Sequence, residues 1–305
     1  MDLSIERIST NENKAWVILF NWESSLPQGA SKSLWTSGDV TINGIRIHYY
    51  RTGGAKPPLV LVHGITDNGL CWTPVAQVLE MQYDVIMVDA RGHGKSDAVD
   101  HDYHVVSLAK DLAGLIQELG LPQPSLLGHS MGAITILVLA SIYPGLPKSI
   151  ILEDPPTWWM STSETPENGR YADVRTWMTS VKSKTREELI TEQHLSSASW
   201  SESELGPWAD AKLQFSANVA NFLDKENAAS VEWSVILPRI TCPGLLITAD
   251  PSLGSRVTDT AAAGLNKLIP QLKVVHIPGA GHNIRREQFD RYIEVLRTFL
   301  ANNMI

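Results

Sequence analysis

Ser125-Leu126-Leu127-Gly128-His129-Ser130-Met131-Gly132 carries the pattern G-x-S-x-G at the junction of two different periodicities. A short apolar run, 125–127, enters it. Met131 to Tyr143, apolar nearly all round, leaves it as a buried central helix should. A strand-to-helix turn of this kind holds its serine in a strained conformation, and the flanking glycines leave room for close packing. Ser130 Oγ is expected to stand exposed at the head of the helix, where N-terminal amides favour developing negative charge.

The same alternation runs outward on both sides. Asp39 to Ile42 and Ile45 to Tyr50, joined by Asn43-Gly44, predict a β-hairpin. Continuous apolar runs follow at 58–62, 84–88, 148–152, 244–248 and 272–277. Such strands are buried on both faces, which implies a parallel sheet covered by helices. Helical periodicity places Leu108, Leu112, Leu115, Ile116 and Leu119 on one face, and Phe289, Ile293, Leu296 and Leu300 on another. The fold class is therefore α/β, a mostly parallel central sheet flanked by helices. Between Pro155 and about Val235 no good strand occurs, and helical patches carry Trp158, Trp159, Trp177, Trp200, Trp208 and Trp233. This stretch reads as a mainly helical insertion after the fourth core strand. The first 35 residues carry no readable motif.

Composition narrows the possible partners. The 305 residues hold 25 Lys+Arg against 33 Asp+Glu, a net charge of −8, which excludes a general nucleic-acid binder. The balance of 43% hydrophobic and 19% charged residues is that of an ordinary folded chain. Ten Trp against five Phe is the one unusual number. Cys71 and Cys242 lie far apart with no C-x-x-C, so buried free thiols are expected rather than a disulfide or zinc site. The apolar run Ala15 to Phe20 is too short to span a membrane and lacks a basic flank. A cytoplasmic protein, monomer or homodimer, is the expectation.

Three further motifs accompany the serine turn. His63-Gly64 follows an apolar strand, Asp89-Ala90-Arg91-Gly92-His93-Gly94-Lys95-Ser96 gives D-x-R-G-x-G-x-S, and Gly279-Ala280-Gly281-His282 follows the last strand. In this order they resemble the α/β-hydrolase superfamily over roughly 38–155 and 236–302. The resemblance implies Ser130 as nucleophile and His282 as its base, with the backbone N–H groups of Ile65 and Met131 as oxyanion donors. It also implies an extension at 1–36, a core at 37–155 and 236–305, and a cap at 156–235.

The third catalytic member has two candidates. Most of the superfamily carries an acid after the next-to-last strand, where this chain has Asp250. Another branch carries it after the strand that follows the nucleophile helix, where this chain has Asp154, 24 residues beyond Ser130. Asp154 is favoured and Asp250 is the alternative. His63 and His93 are expected to make local hydrogen bonds. His129, Trp158 and Trp159 are candidates for the substrate pocket. The remaining histidines show no metal-ligand spacing, and no nucleotide-binding pattern occurs, so no metal and no cofactor is implied.

Serine at the nucleophile position disfavours dehalogenase and epoxide hydrolase chemistry, which need Asp there. The expectation is a serine hydrolase acting on a small hydrophobic ester or lactone through an acyl-enzyme, with tryptophans walling an apolar pocket. Two alternatives remain open: carbon–carbon bond hydrolysis, and a slow-turnover ligand receptor of the same fold.

Overall fold

Asn43 and Gly44 take φ of 51° and 82°, the left-handed pair that closes a two-residue hairpin with the twist of its strands. The computed structural model describes residues 3–6, 16–20, 35–160 and 167–303. Its strands are β1 (Leu3–Glu6), β2 (Trp16–Phe20), β3 (Thr36–Ile42), β4 (Ile45–Arg51), β5 (Pro58–Val62), β6 (Asp84–Val88), β7 (Ser125–His129), β8 (Ser149–Glu153), β9 (Gly244–Thr248) and β10 (Leu272–His276). They form one sheet in the order β1-β2-β3-β4-β6-β5-β7-β8-β9-β10. Pairing is antiparallel from β1 to β4 and across to β6, and parallel from there to β10.

Helices alternate with the parallel strands. They are α1 (Thr73–Leu79), α2 (Val105–Glu118), α3 (Met131–Ile142), α4 (Glu167–Val181), α5 (Arg186–Ser196), α6 (Glu202–Gln214), α7 (Lys225–Ala229), α8 (Trp233–Ile236), α9 (Asp259–Leu268), α10 (Ile284–Glu287) and α11 (Phe289–Ala301). Successive strand side chains point to opposite faces, and the core divides accordingly. Val60, Val62, Leu126, Ile150 and Leu152 pack with α2 and α3. Leu59, Leu61, Leu127 and Ile151 pack with α1 and α11 on the other face. Both cysteines are free and buried.

Two features differ from the sequence reading. The segment without a motif contributes β1 and β2, which extend the antiparallel end of the sheet. The run at 272–277 is an edge strand rather than one buried on both faces, and Lys273, Val274 and His276 are exposed along it.

Helices α4 to α8 fall between β8 and β9 and dock on loops at the carboxyl ends of the parallel strands. Ser216 N–H donates to Gly92 O at 2.7 Å, Val105 N–H to Asn227 Oδ1 at 2.9 Å, and Asn68 Nδ2 to Gln214 Oε1 at 2.9 Å. Their apolar residues join the α2–α3 face in one cluster that includes Trp158, Trp200, Trp208 and Trp233. Among the described residues no helix is long and apolar enough to cross a membrane, and no group of three or more metal-binding side chains occurs.

Candidate active site

Ser130 takes φ 50° and ψ −113° between β7 and α3, a backbone region that side chains rarely adopt. Close packing imposes that turn. A Cβ on Gly132 would lie 2.2 Å from Val62 O, so only glycine lets the head of α3 rest on the end of β5. Met131 opens α3, and the first N–H groups of a helix have no partner within it.

Three strand ends bring the candidate groups together. Ser130 follows β7, Asp154 follows β8, and His282 lies beyond β10. Ser130 Oγ is 3.1 Å from His282 Nε2, and His282 Nδ1 is 2.6 Å from Asp154 Oδ2. An ionised carboxylate only accepts, so Nδ1 carries the proton and Nε2 presents its lone pair to the serine. Asp154 is fully buried and, like Ser130, has positive φ, 42°. Its oxygens also accept from Ser255 Oγ at 2.8 Å, Arg256 N–H at 2.9 and 3.0 Å, and Val257 N–H at 3.0 Å. Burial pushes this carboxyl up, but the bonds from His282 and the two amides outweigh it and hold it below the ordinary carboxylate range.

Asp250 is placed elsewhere. It sits 2.9 Å from His276 Nε2 and accepts the Gly279 N–H at 2.7 Å, shaping the turn that leads into His282.

The loop after β5 lies against the serine, since a Cβ on Gly64 would be 3.3 Å from Ser130 Cβ. Gly64 O accepts from Asp67 N–H at 3.1 Å and from His63 Nδ1 at 2.8 Å. In a trans peptide the N–H points opposite to the C=O, so fixing this oxygen fixes the direction of the Ile65 N–H. The next residue, Thr66, has φ 70°, an outlier for a β-branched side chain. Both of its backbone groups are held: the N–H donates to His93 Nε2 at 3.1 Å, and the C=O accepts from Lys212 Nζ at 3.2 Å. His63 Nε2 accepts the Ala90 N–H at 3.0 Å. Burial lowers the pKa of His63 and pushes that of His93 well down, so both stay neutral as these bonds require.

Beneath this loop lies a buried network of charges that the sequence reading missed. Asp67 receives Lys212 at 2.6 Å, Arg286 at 2.9 Å and Arg285 at 3.3 Å. Arg286 continues to Glu204 at 3.0 Å. Arg285 continues to Glu153, whose carboxylate also accepts from the Arg285 N–H at 2.9 Å and Tyr292 Oη at 3.1 Å. Burial pushes the Asp67 carboxyl up, but Arg286, Lys212 and Arg285 outweigh it and hold the pKa well below the usual range. Asp67 belongs to the Ile65 loop, Glu153 precedes Asp154, Arg285 and Arg286 follow His282, and Lys212 and Glu204 come from α6. The network therefore joins the loop after β5, the end of β8 and the segment after His282 to α6. The doublet Glu153-Asp154 and the pair Arg285-Arg286 beside the motif histidine were the available signals.

The pocket candidates have definite surroundings. His129 is buried, with Nε2 2.9 Å from His282 O and its ring 4.7 Å from the His282 ring. Trp158 is buried, 5.1 Å from Phe222 and 6.2 Å from Trp233 between ring centroids. Half-buried Trp159 donates to Ala261 O at 2.9 Å. Other tryptophans cover cations of the network: Arg285 lies 4.2 Å from the Trp72 ring, Arg286 4.6 Å from Trp200, and Lys212 5.1 Å from Trp208 and 5.8 Å from Trp177.

Known proteins share this arrangement of strands and loops. The family model described as alpha/beta hydrolase fold matches residues 57–285. The chain is similar to N-formylmaleamate deformylase of Pseudomonas putida, 31% identical over 271 residues that make up 88% of this chain and 97% of the relative. A shorter similarity, 36% over 117 residues, covers 38% of this chain and 40% of 2-(acetamidomethylene)succinate hydrolase from Mesorhizobium japonicum. The crystal structure of E-2-(acetamidomethylene)succinate hydrolase has the same fold, with a TM-score of 0.72 at 22% identity, covering 88% of this chain and 99% of that one. The matched span runs from the residue before β5 through His282 and into α10, and the chain belongs to the alpha/beta hydrolase fold family.

Proposed function

We propose that this chain is a serine hydrolase that cleaves the carbon–nitrogen bond of a small N-acyl compound through an acyl-enzyme. The observation that carries the reading is the alignment of Ser130 Oγ, His282 and Asp154 at 3.1 and 2.6 Å. Ser130 Oγ attacks the acyl carbon while His282 Nε2 takes the hydroxyl proton. The oxyanion meets the N–H of Met131 at the head of α3 and the N–H of Ile65, aimed by the anchored Gly64 carbonyl. Collapse breaks the C–N bond, and His282 delivers the proton to the leaving nitrogen. A water then gives its proton to His282 and attacks the acyl carbon, releasing the acid and restoring Ser130. Asp154 fixes the tautomer and stabilises the imidazolium.

The ester and lactone substrates expected from the sequence follow the same sequence of steps with oxygen in place of nitrogen as the leaving atom. The two relatives named above favour nitrogen as the leaving atom, because both names describe N-acylated compounds. We assign residues 156–235 to a cap above Ser130, 37–155 and 236–305 to the core, and 1–36 to an extension. The docking of α6 beside the Ile65 loop supports that division.

A panel of N-formyl and N-acetyl amides, short esters and lactones, run beside Ser130→Ala, tests the reading. Ser130→Ala is expected to lower kcat by about 10⁶ and to abolish labelling by a fluorophosphonate. Labelling of the wild type with negligible turnover on the whole panel would favour a receptor, and undiminished turnover by Ser130→Ala defeats the mechanism.

A further inference from the structure

Arg256 stands between two groups that the hydrolytic step uses. Its backbone N–H reaches both oxygens of Asp154. Its side chain turns to the other end of the triad and places Nε 3.3 Å from His282 Nε2. Ser130 Oγ reaches the same nitrogen at 3.1 Å. With Nδ1 committed to Asp154, Nε2 offers a single lone pair, and two donors converge on it. Nη1 of the same guanidinium is buried with no hydrogen-bond partner.

Arg285 Nε is also buried without a hydrogen-bond partner, but the neighbouring cations differ from Arg256 in having a carboxylate. Lys212, Arg285 and Arg286 each face the Asp67 carboxylate, at 2.6, 3.3 and 2.9 Å. Among the described residues Arg256 forms no ion pair, and its only side-chain bond is the 3.3 Å one to the base. A buried charged donor without an acceptor is costly, and the planar fork of arginine matches a carboxylate in two bonds at once. The acceptor this site lacks is an anion beside the nucleophile.

The geometry points to Arg256 as the residue that binds a carboxylate of the substrate, and that binding withdraws Nε from His282 and frees Nε2 to take the serine proton. The substrate class is then a short N-acyl compound with a carboxylate only a few bonds from the scissile carbonyl. A neutral substrate leaves Nε on the base, so an anionic substrate gains in kcat as well as in KM. This inference rests on the hydrolase reading above and specifies which substrates it takes.

p-Nitrophenyl hemisuccinate and p-nitrophenyl butyrate have acyl chains of similar size and differ in one carboxylate. Steady-state kcat and KM for both, on wild type, R256Q and R256K, read the discrimination. A parallel calorimetric titration with succinate reads binding without turnover. The substitutions leave the backbone amide on Asp154 in place, and the ratio between the two esters does not move with any loss common to both. The wild type is expected to favour hemisuccinate at least tenfold in kcat/KM, with part of the gain in kcat. R256Q should lose that preference and the succinate signal, and R256K should keep part of each. A wild type that treats the esters alike, or an R256Q that keeps the preference, overturns the assignment. If neither ester turns over and a fluorophosphonate leaves Ser130 unlabelled, the hydrolase reading falls. The titration then decides alone: succinate binding lost in R256Q upholds the carboxylate site, and absent or unchanged binding overturns it.

Discussion

The carboxylate of Asp154 lies 2.6 Å from Nδ1 of His282, although 128 residues separate the two in sequence. Asp250, at the end of the adjacent strand, lies 2.9 Å from His276 instead. Asp154→Asn should keep the fold and lower kcat by about 10⁴, by presenting the wrong imidazole tautomer to the serine. Asp250→Asn should stay within a few-fold of wild type, a change well below the ~10⁴ of a lost triad acid. Steady-state turnover with circular dichroism as a fold control separates the two, and near-normal kcat in Asp154→Asn contradicts the assignment.

Asp67 gathers three buried cations on one carboxylate. Removing the charge leaves Lys212 without its counter-ion and leaves Arg285 and Arg286 with one carboxylate each, Glu153 and Glu204. Asp67→Asn is therefore expected to cost about 3–5 kcal/mol of unfolding free energy, measured by urea denaturation at pH 7. A loss below about 1 kcal/mol, the level of a surface ion pair, would show that the network contributes little.

His63 aims the Ile65 N–H indirectly, through its Nδ1 bond to Gly64 O. Asn places an amide donor near Nδ1, whereas Gln places its amide near Nε2 and faces Ala90. His63→Gln should lower kcat more than KM, by an amount approaching the roughly 10²–10³ that loss of an oxyanion donor costs. His63→Asn should recover much of it. Equal kcat in the two variants argues against the positioning role.

Burial is the leading cause that lowers the pKa of His63, His93 and His129. An unfolded histidine titrates near 6.5. Above that pH both states are neutral and stability is full. Below it the unfolded chain takes up protons that the folded chain refuses, so stability falls as pH drops from 6.5 toward the folded values. The slope reaches at most about 1.4 kcal/mol per pH unit for each histidine. Asp89 and Glu153, pushed up by burial, act in the opposite sense above the ordinary carboxylate range. Urea unfolding at pH 7.5, 6.5 and 5.5 should therefore show a decline between the last two, shallower in His93→Gln. A flat profile contradicts the neutral-histidine assignment.

Sequence and structure agree where local periodicity and burial say the same thing. The runs at 58–62, 84–88 and 244–248 became strands with those bounds, because a short run of mostly apolar residues is stable only between covered faces. Ser130 was legible because a sharp turn needs particular residues on both sides of it. Two acids at strand ends look alike in sequence, and only the placement of each beside a histidine separates Asp154 from Asp250. The charge network was hidden for a related reason. Lys212 and Glu204 sit on a stretch rich in polar side chains, and long-range pairing alone makes their burial tolerable. The tryptophans were ambiguous because filling a core, covering a cation and walling a pocket all call for the same side chain. Arg256 gave no sequence signal, since its meaning lies in what its guanidinium fails to meet.

The network beneath the Ile65 loop also bears on how freely the insert can be exchanged. Lys212 and Glu204 on α6 neutralise charges rooted in two separate core segments, Asp67 after β5 and Arg286 after His282. Transplanting another helical segment into 156–235 would leave Asp67 and Arg286 short of their counter-ions unless it supplied an ammonium and a carboxylate at the same two places. Chimeras built without them should misfold or precipitate even when lengths and hydrophobic patterns match. The insert and the loops it covers are thus expected to diversify together, as one inherited unit rather than as a scaffold and an interchangeable lid.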